Sequence, residues 1–414
     1  MKVLVAPSGF KESLDPVQAA DCIEQGILKA HPTAEVYKMP LVDGGEGFVK
    51  GLVEATNGRL IELMVTGPVG LPVQSHFGFL GNMQKTAVIE MAAAAGLRLV
   101  PSDHRDPTKT TTFGVGQTIV AALDAGAEHI LLGCGDSGTC DAGAGMMQAL
   151  GARLVDTNGD DIPAACGIAG LDRLDSIDLS QLDARLKTVT IDVACNWHNV
   201  LCGPTGVARV FGPQKGATVE QVEMMSMAMD RCAQVIGQIL GRDVSLAPGS
   251  GASGGLGAGL LLIGAELHPR YDIVMKFFRI DELMIDCQLV ITAEGGIDYQ
   301  TPRGKIPAEV ACRAKRCGLP VIALAGTIGE GARVNYAAGI DAYASIMQCP
   351  TSLAVAIAQA ERLLTEAAEG AMRMVMVGQS MMKVHKNQEP MATLQFKRQR
   401  PLKQRAQTLE VCCA

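Results

Sequence analysis

The run Leu289-Val290-Ile291-Thr292-Ala293-Glu294-Gly295-Gly296-Ile297-Asp298 constrains this chain more than any other stretch. It opens as a short apolar segment, the pattern of a strand buried on both faces in a parallel sheet. It then breaks into two glycines with a carboxylate on each side, Glu294 and Asp298. In an open α/β sheet, ligands bind just beyond the carboxyl ends of the strands. Carboxylates at that edge hold Mg²⁺ or accept a proton from a substrate hydroxyl. Arg303 and Lys305 follow within reach of the same edge, and positive charge there suits a polyphosphate. The competing reading is a loop of solvated charges, and the rest of the chain weighs between the two.

The same logic recurs along the chain. Val3 to Ala6 reads as a buried first strand, with Pro7 to Lys11 as the loop beyond it. Asp15-Pro16 starts a helix as N-cap and first helical residue. Lys11 thus lies between a strand end and a helix start, as an anion contact or an ordinary exposed lysine. After an apolar run from Val36 to Leu41, Asp43-Gly44-Gly45-Glu46-Gly47 again sets two acids around a glycine pair. Residues 60–100 alternate as strands do. A hydroxyl-rich segment, 106–116, precedes a helix spaced on Ile119, Val120 and Leu123. The strand His129 to Leu132 leads into Gly133 to Gly145, where five glycines frame Ser137, Thr139 and Asp141. Glycines so placed let backbone approach a phosphate. The segment 155–187 is polar and turn-rich, and is expected at the periphery. Val189 to Ala194 is a further strand, with Asn196 to Asn199 at its end. Lys215 precedes a helix over 219–240 and is another candidate anion contact. Pro248 to Gly259 is the most glycine-dense stretch; it suits a nucleotide-cradling loop or close helix packing, and glycine density alone does not choose. Strands at Val321 to Ala325 and Ala342 to Ile346 and an amphipathic helix over 353–373 complete the pattern.

At 414 residues the chain is long for one core, so two domains are the default. Aromatics make up only 4% of it while Gly and Ala are plentiful, which favours helices packed on a parallel sheet over a β-sandwich. A net charge of −7 argues against nucleic acid as a partner. The 13 cysteines are scattered through apolar segments and read as reduced thiols, with Cys412 and Cys413 the exception. Met1-Lys2 leads straight into a strand, without the apolar core of a signal sequence, and no uncharged run reaches membrane-spanning length. The expected location is the cytoplasm. No C-x-x-C or H-x-x-x-H spacing supports zinc. The glycine loops match neither the P-loop nor the nicotinamide fingerprint, so an oxidoreductase is not supported. From about 376 the apolar pattern fades into a basic tail (376–414), expected to be loosely attached.

Together, Asp43 to Gly47, Phe211-Gly212-Pro213-Gln214-Lys215-Gly216-Ala217, Gly254-Gly255-Leu256-Gly257, and Gln300-Thr301 with Gly304-Lys305 resemble the bacterial glycerate 2-kinases, in family order over roughly residues 1–370. The resemblance implies an α/β fold of two domains, each a mostly parallel sheet flanked by helices, with the active site in the interdomain cleft. It suggests a discontinuous first domain, 1–75 plus 275–375, and a second over 76–274. It implies ATP and Mg²⁺ as cofactors and phosphoryl transfer to a hydroxyl of D-glycerate, with a homodimer the oligomer to look for.

On this reading Lys11, Asp43, Glu46, Glu294 and Asp298 are the catalytic candidates, with Glu294 and Asp298 also the metal candidates. Ser137, Thr139, Asp141, Asn199, Lys215, Gly254, Gly255, Gln300, Thr301 and Lys305 are the substrate or nucleotide candidates. The sequence also departs from the family pattern. Ser8 stands where the family has Asp in D-S-F-K, Asn196 where it has Asp in A-C-D, and Gly296 where it has Arg in G-E-G-R-x-D. A lost carboxylate removes charge for a cation and a lost Arg removes a bidentate phosphate clamp, so weakened activity is expected. The alternative is a non-catalytic descendant that binds a sugar acid or nucleotide and regulates a partner.

Overall fold

The structure, a computed structural model, describes residues 1–10, 13–41, 44–277, 279–302 and 304–387. The first strands are β1 (Lys2–Val5), β2 (Glu35–Lys38), β3 (Arg59–Thr66), β4 (Pro72–Leu80) and β5 (Met83–Glu90). The middle of the chain adds β6 (His129–Gly133), β7 (Arg153–Asp156), β8 (Leu174–Asp178), β9 (Thr190–Cys195) and β10 (Glu266–Pro269). β11 (Leu289–Ile297), β12 (Val321–Ile328) and β13 (Ala342–Ser345) come last.

Two large sheets result. The first is wholly parallel, in the order β13-β12-β11-β1-β2, and joins the two ends of the chain. The second runs β10-β9-β6-β5-β4-β3, parallel from β10 to β5 and antiparallel at β4 and β3. This is the expected class: α/β, with mostly parallel sheets flanked by helices. The division expected at residue 75 falls inside β4. The change of sheet comes earlier, because Phe48, Val49, Leu52 and Val53 of the helix Phe48–Ala55 are buried and that helix packs on β4 and β5.

Local signals place the helices. Asp15 caps Pro16–Ala30: its carboxylate accepts from the Gln18 N–H at 2.8 Å, and the Gln18 side chain accepts from the Asp15 N–H at 3.0 Å. Thr218 and Gln221 form the same reciprocal cap on Val219–Leu240. The expected helix over 353–373 is two, Leu353–Ala358 and Ala360–Asn387.

Two apolar cores form. One lies against the second sheet and includes Ile119, Ile130, Leu132, Met146, Val193 and Leu256. The other joins Leu4, Val290 and Ala323 of the first sheet to Val88, Leu131 and Ala194 on the opposite face of the second. The segment 155–187 is not peripheral. β7 and β8 pair into a small antiparallel sheet, and Ile162, Ile168, Leu171, Leu174 and Ile177 are buried in the first core. Its polar residues fill the turns, while sparse apolar ones point inward.

The chain divides into two compact units, Met1–Met372, which holds both sheets, and Arg373–Ala414. The described part of the latter is the end of the helix Ala360–Asn387, so residues 376–387 of the expected tail are helical. Residues 388–414 lie outside the described part. No helix among the described residues is long and apolar enough to cross a membrane.

Candidate functional site

At the end of β11 the strand does not stop at the glycines. Gly296 and Ile297 still pair with Thr327 and Ile328 of β12, so Glu294 and Gly296 lie on one face of a continuing strand. The chain then turns. The Asp298 carboxylate accepts from the Gln300 N–H at 2.8 Å, and the Asp298 N–H donates to Thr301 Oγ1 at 3.1 Å. Buried Asn335 donates to the Asp298 carbonyl at 2.9 Å and braces the turn from β12's side. The turn delivers Lys305, N-cap of the helix Ile306–Arg316, back over the strand. Its ammonium lies 3.5 Å from Asp298 Oδ1 and 3.9 Å from Glu294 Oε1, and donates to the Gly296 carbonyl at 3.4 Å. Glu294, Asp298 and Lys305 thus come together as expected. Thr301 is fully buried and builds the turn, so it is not placed to touch a ligand; Gln300 is exposed beside it. Arg303 lies outside the described residues.

A loop joins this edge to the second sheet. Between β2 and the helix Phe48–Ala55, Gly44 and Gly45 press against the end of β6. A Cβ on Gly135 would stand 2.7 Å from the Gly45 Cα, a clash that forbids any side chain there. The Glu46 N–H donates to Asp136 Oδ2 at 3.0 Å, and the Glu46 carboxylate pairs with Arg98 at 3.3 Å. Lys11 and Asp43, both candidates, lie outside the described residues. Residues 44–49 therefore meet the carboxyl ends of β5, β6 and β9 at one place, the strand edge at which an α/β sheet binds ligands.

Beyond β6 the candidates separate into half-buried and buried. Lys215, only 3% exposed, donates to Ser137 Oγ and to the Thr139 carbonyl, each at 2.7 Å. It is a brace for the loop carrying Ser137 rather than an open anion contact. Asp141 and Thr139 are fully buried. Asp141 accepts from the Thr112 N–H at 2.7 Å, the Thr112 hydroxyl at 2.9 Å, and the Gly143 and Gly145 N–H groups at 3.2 Å. Burial pushes its carboxyl above the usual range, and those four donors pull it back. Both residues were expected to line the ligand; both are buried instead, Asp141 as an internal fastening and Thr139 engaged through its carbonyl by Lys215. Gly254 and Gly255 settle the glycine-dense stretch as packing: a Cβ on Gly254, at φ +74°, would fall 1.8 Å from the Thr139 carbonyl oxygen. Asn199 is half-buried at the end of β9, its carbonyl accepting from the Gly251 N–H.

Among the described residues, one His/Asp/Glu cluster has metal-like spacing: Asp192, Glu266 and His268. It sits away from the strand ends just described, and both oxygens of Asp192 already bond imidazoles, His129 at 2.7 Å and His268 at 2.6 Å. We read it as a hydrogen-bonded cluster within the sheet. Glu294 and Asp298 are the oxygen donors suited to Mg²⁺, which binds through one or two carboxylates together with substrate phosphates.

The sequence matches the family description "Glycerate kinase family" over residues 3–376. The chain belongs to the glycerate kinase family. It is 49% identical to a glycerate kinase of Bacillus subtilis (strain 168) over 348 residues, 84% of this chain and 90% of that protein. It is 45% identical to the glycerate 2-kinase of Escherichia coli (strain K12), over 84% of this chain and 91% of that one. A crystal structure of a protein assigned as glycerate kinase 2 from Salmonella typhimurium LT2 superposes with a TM-score of 0.82 at 45% identity, covering 92% of this chain and 99% of that one.

Two of the three departures from the glycerate kinase pattern flank Glu294. The Ser8 N–H donates to the carbonyl of Ala293 at 2.8 Å, and Gly296 stands two residues further along β11. Asn196 is exposed just beyond the end of β9, its side-chain oxygen accepting from the His198 N–H at 3.1 Å. Sequence reasoning did not single out Glu90, Arg98 or Asp136. For Glu90 the available signal was a carboxylate inside an otherwise apolar strand.

Proposed function

We propose that the end of β11 is the phosphoryl-transfer edge of this protein, with Lys305 held between Glu294 and Asp298. As a family member the chain is an ATP-dependent kinase acting on glycerate, and D-glycerate is the substrate we assign. The supporting observation is the Lys305 ammonium within 4 Å of both carboxylates at a strand end. Phosphoryl transfer asks mainly for positioning and charge neutralisation. Lys305 supplies positive charge where the transferred phosphoryl group spreads its negative charge. In this proposal a carboxylate of the pair takes the proton leaving the glycerate hydroxyl. Glu294 and Asp298 would hold Mg²⁺, which when bound neutralises phosphate oxygens. Ser137, whose hydroxyl accepts from Lys215, is assigned to substrate or nucleotide.

The non-catalytic alternative is not favoured: the acid–lysine group is intact and the family is catalytic. A coupled ADP-release assay with D-glycerate, with and without Mg²⁺, tests the reading. ADP formation should require both additions. Glycerate-independent ADP release, or none, would overturn it.

A further inference from the structure

The helix Phe48–Ala55 begins at Gly47, which has no side chain with which to cap the free N–H groups of the first turn. The missing acceptor comes from another strand. Glu90, the last residue of β5 and only 4% exposed, takes the Val49 N–H on Oε2 at 2.9 Å and the Gly47 N–H on Oε1 at 3.4 Å. His76 of β4 stands 3.4 Å from the same Oε1. Asp136, beyond β6, takes the neighbouring Glu46 N–H at 3.0 Å. Two carboxylates of the second sheet therefore hold three N–H groups at residues 46, 47 and 49, at the junction with the first sheet. A buried carboxylate is costly to desolvate and is retained where charge-assisted bonds repay it.

We infer that Glu90 is a positioning residue for the kinase reaction: it fixes the Gly44–Gly47 segment over the end of β6 without itself touching substrate. This inference rests on the transfer edge proposed above. That segment carries the acidic candidate Glu46, and a displacement of about 1 Å in a reacting constellation can cost 10²-fold in rate.

Glu90→Gln tests it. The amide keeps the shape but sets an NH₂ against a backbone N–H, so one of the two bonds is lost. Hydrogen exchange at the amides of 46–49 should accelerate by about tenfold, the equivalent of one such bond. kcat should fall by about ten- to 10²-fold, with KM for ATP and glycerate nearly unchanged and the melting temperature within a few degrees of wild type. Asp136→Gly, at an exposed position whose φ of +47° suits glycine, frees only the Glu46 N–H and should lower kcat in the same direction by less. Unchanged exchange at 46–49 in Glu90→Gln would overturn the inference. So would exchange accelerated throughout the second sheet with kcat lost only in proportion to the folded fraction. Should Glu90→Gln fail to fold, Asp136→Gly decides by the same two readouts. A wild type that forms no glycerate-dependent ADP would defeat the functional reading instead, and the exchange at 46–49 would still judge Glu90.

Discussion

Replacing Lys305 by Met keeps the aliphatic stem and removes the one charge that distinguishes a phosphate contact from a structural strut. Glu294, Asp298 and Lys305 together carry −1, and Lys305→Met leaves −2 on two carboxylates that had shared a cation. At an effective dielectric of about 20, each ion pair near 4 Å has a nominal attraction of about 4 kcal/mol. The three side chains are 20–30% exposed, however, and solvent screening and side-chain entropy reduce such pairs to about 1 kcal/mol or less. The stability cost is therefore small, about 2–4 °C in melting temperature. The catalytic cost is much larger. Removing a preorganised donor aimed at developing charge lowers kcat by about 10²–10³, or roughly 2.7–4 kcal/mol. Lys305→Met is expected to melt close to wild type while its rate of ADP formation at saturating glycerate falls by about 10²-fold or more. Titration calorimetry should show Mg²⁺ binding preserved or strengthened, because the cation's competitor is gone. A kcat within about threefold of wild type, or a melting temperature more than about 10 °C lower, would refute the assignment and make Lys305 a strut.

Three further outcomes follow from the same geometry. Gly254→Ala places a Cβ against the Thr139 carbonyl at a positive φ, so urea unfolding should show a loss of about 3 kcal/mol or more; a loss under about 1 kcal/mol would mean the stretch is looser than described. The Asp192 carboxyl is held below its ordinary value, first by the hydrogen bond from His129 and then, against the opposing effect of burial, by that from His268. That stability is present above the unfolded-state pKa of about 3.9 and is lost as pH falls through the lower folded-state value. The deficit of Asp192→Asn in urea midpoint should therefore be steady near neutral pH and shrink below about pH 4; a deficit that grows in acid would contradict it. Restoring the family residues (Ser8→Asp, Asn196→Asp, Gly296→Arg) should raise turnover, non-additively for the first and third because both adjoin Glu294. Wild-type turnover near ~10 s⁻¹, slowed by the restorations, would show a site rebuilt rather than weakened.

Much of this was legible in the residues themselves. Alternation and apolar runs marked β1, β6, β9, β11 and β12, because a strand buried on both faces has no choice but to be apolar. Asp15-Pro16 announced its helix through local capping that needs no tertiary partner. The Glu294–Lys305 group was readable because its members are close in sequence and a single turn brings them together. What the sequence left open is which polar residues face solvent. Ser137, Thr139 and Asp141 lie within five positions of one another, yet Ser137 stays half-buried while Thr139 and Asp141 are fully buried. Lys215 reads as a candidate anion contact until Ser137 Oγ and the Thr139 carbonyl, far away in the chain, accept its hydrogen bonds. The glycines at 254 and 255 read as a cradle until the 139–142 loop packs against them. Glu90 is the clearest case, since its partners are backbone N–H groups on another element and backbone leaves no mark in a sequence. Local order follows from neighbours along the chain, whereas desolvation and long-range hydrogen bonding exist only once the two sheets have come together.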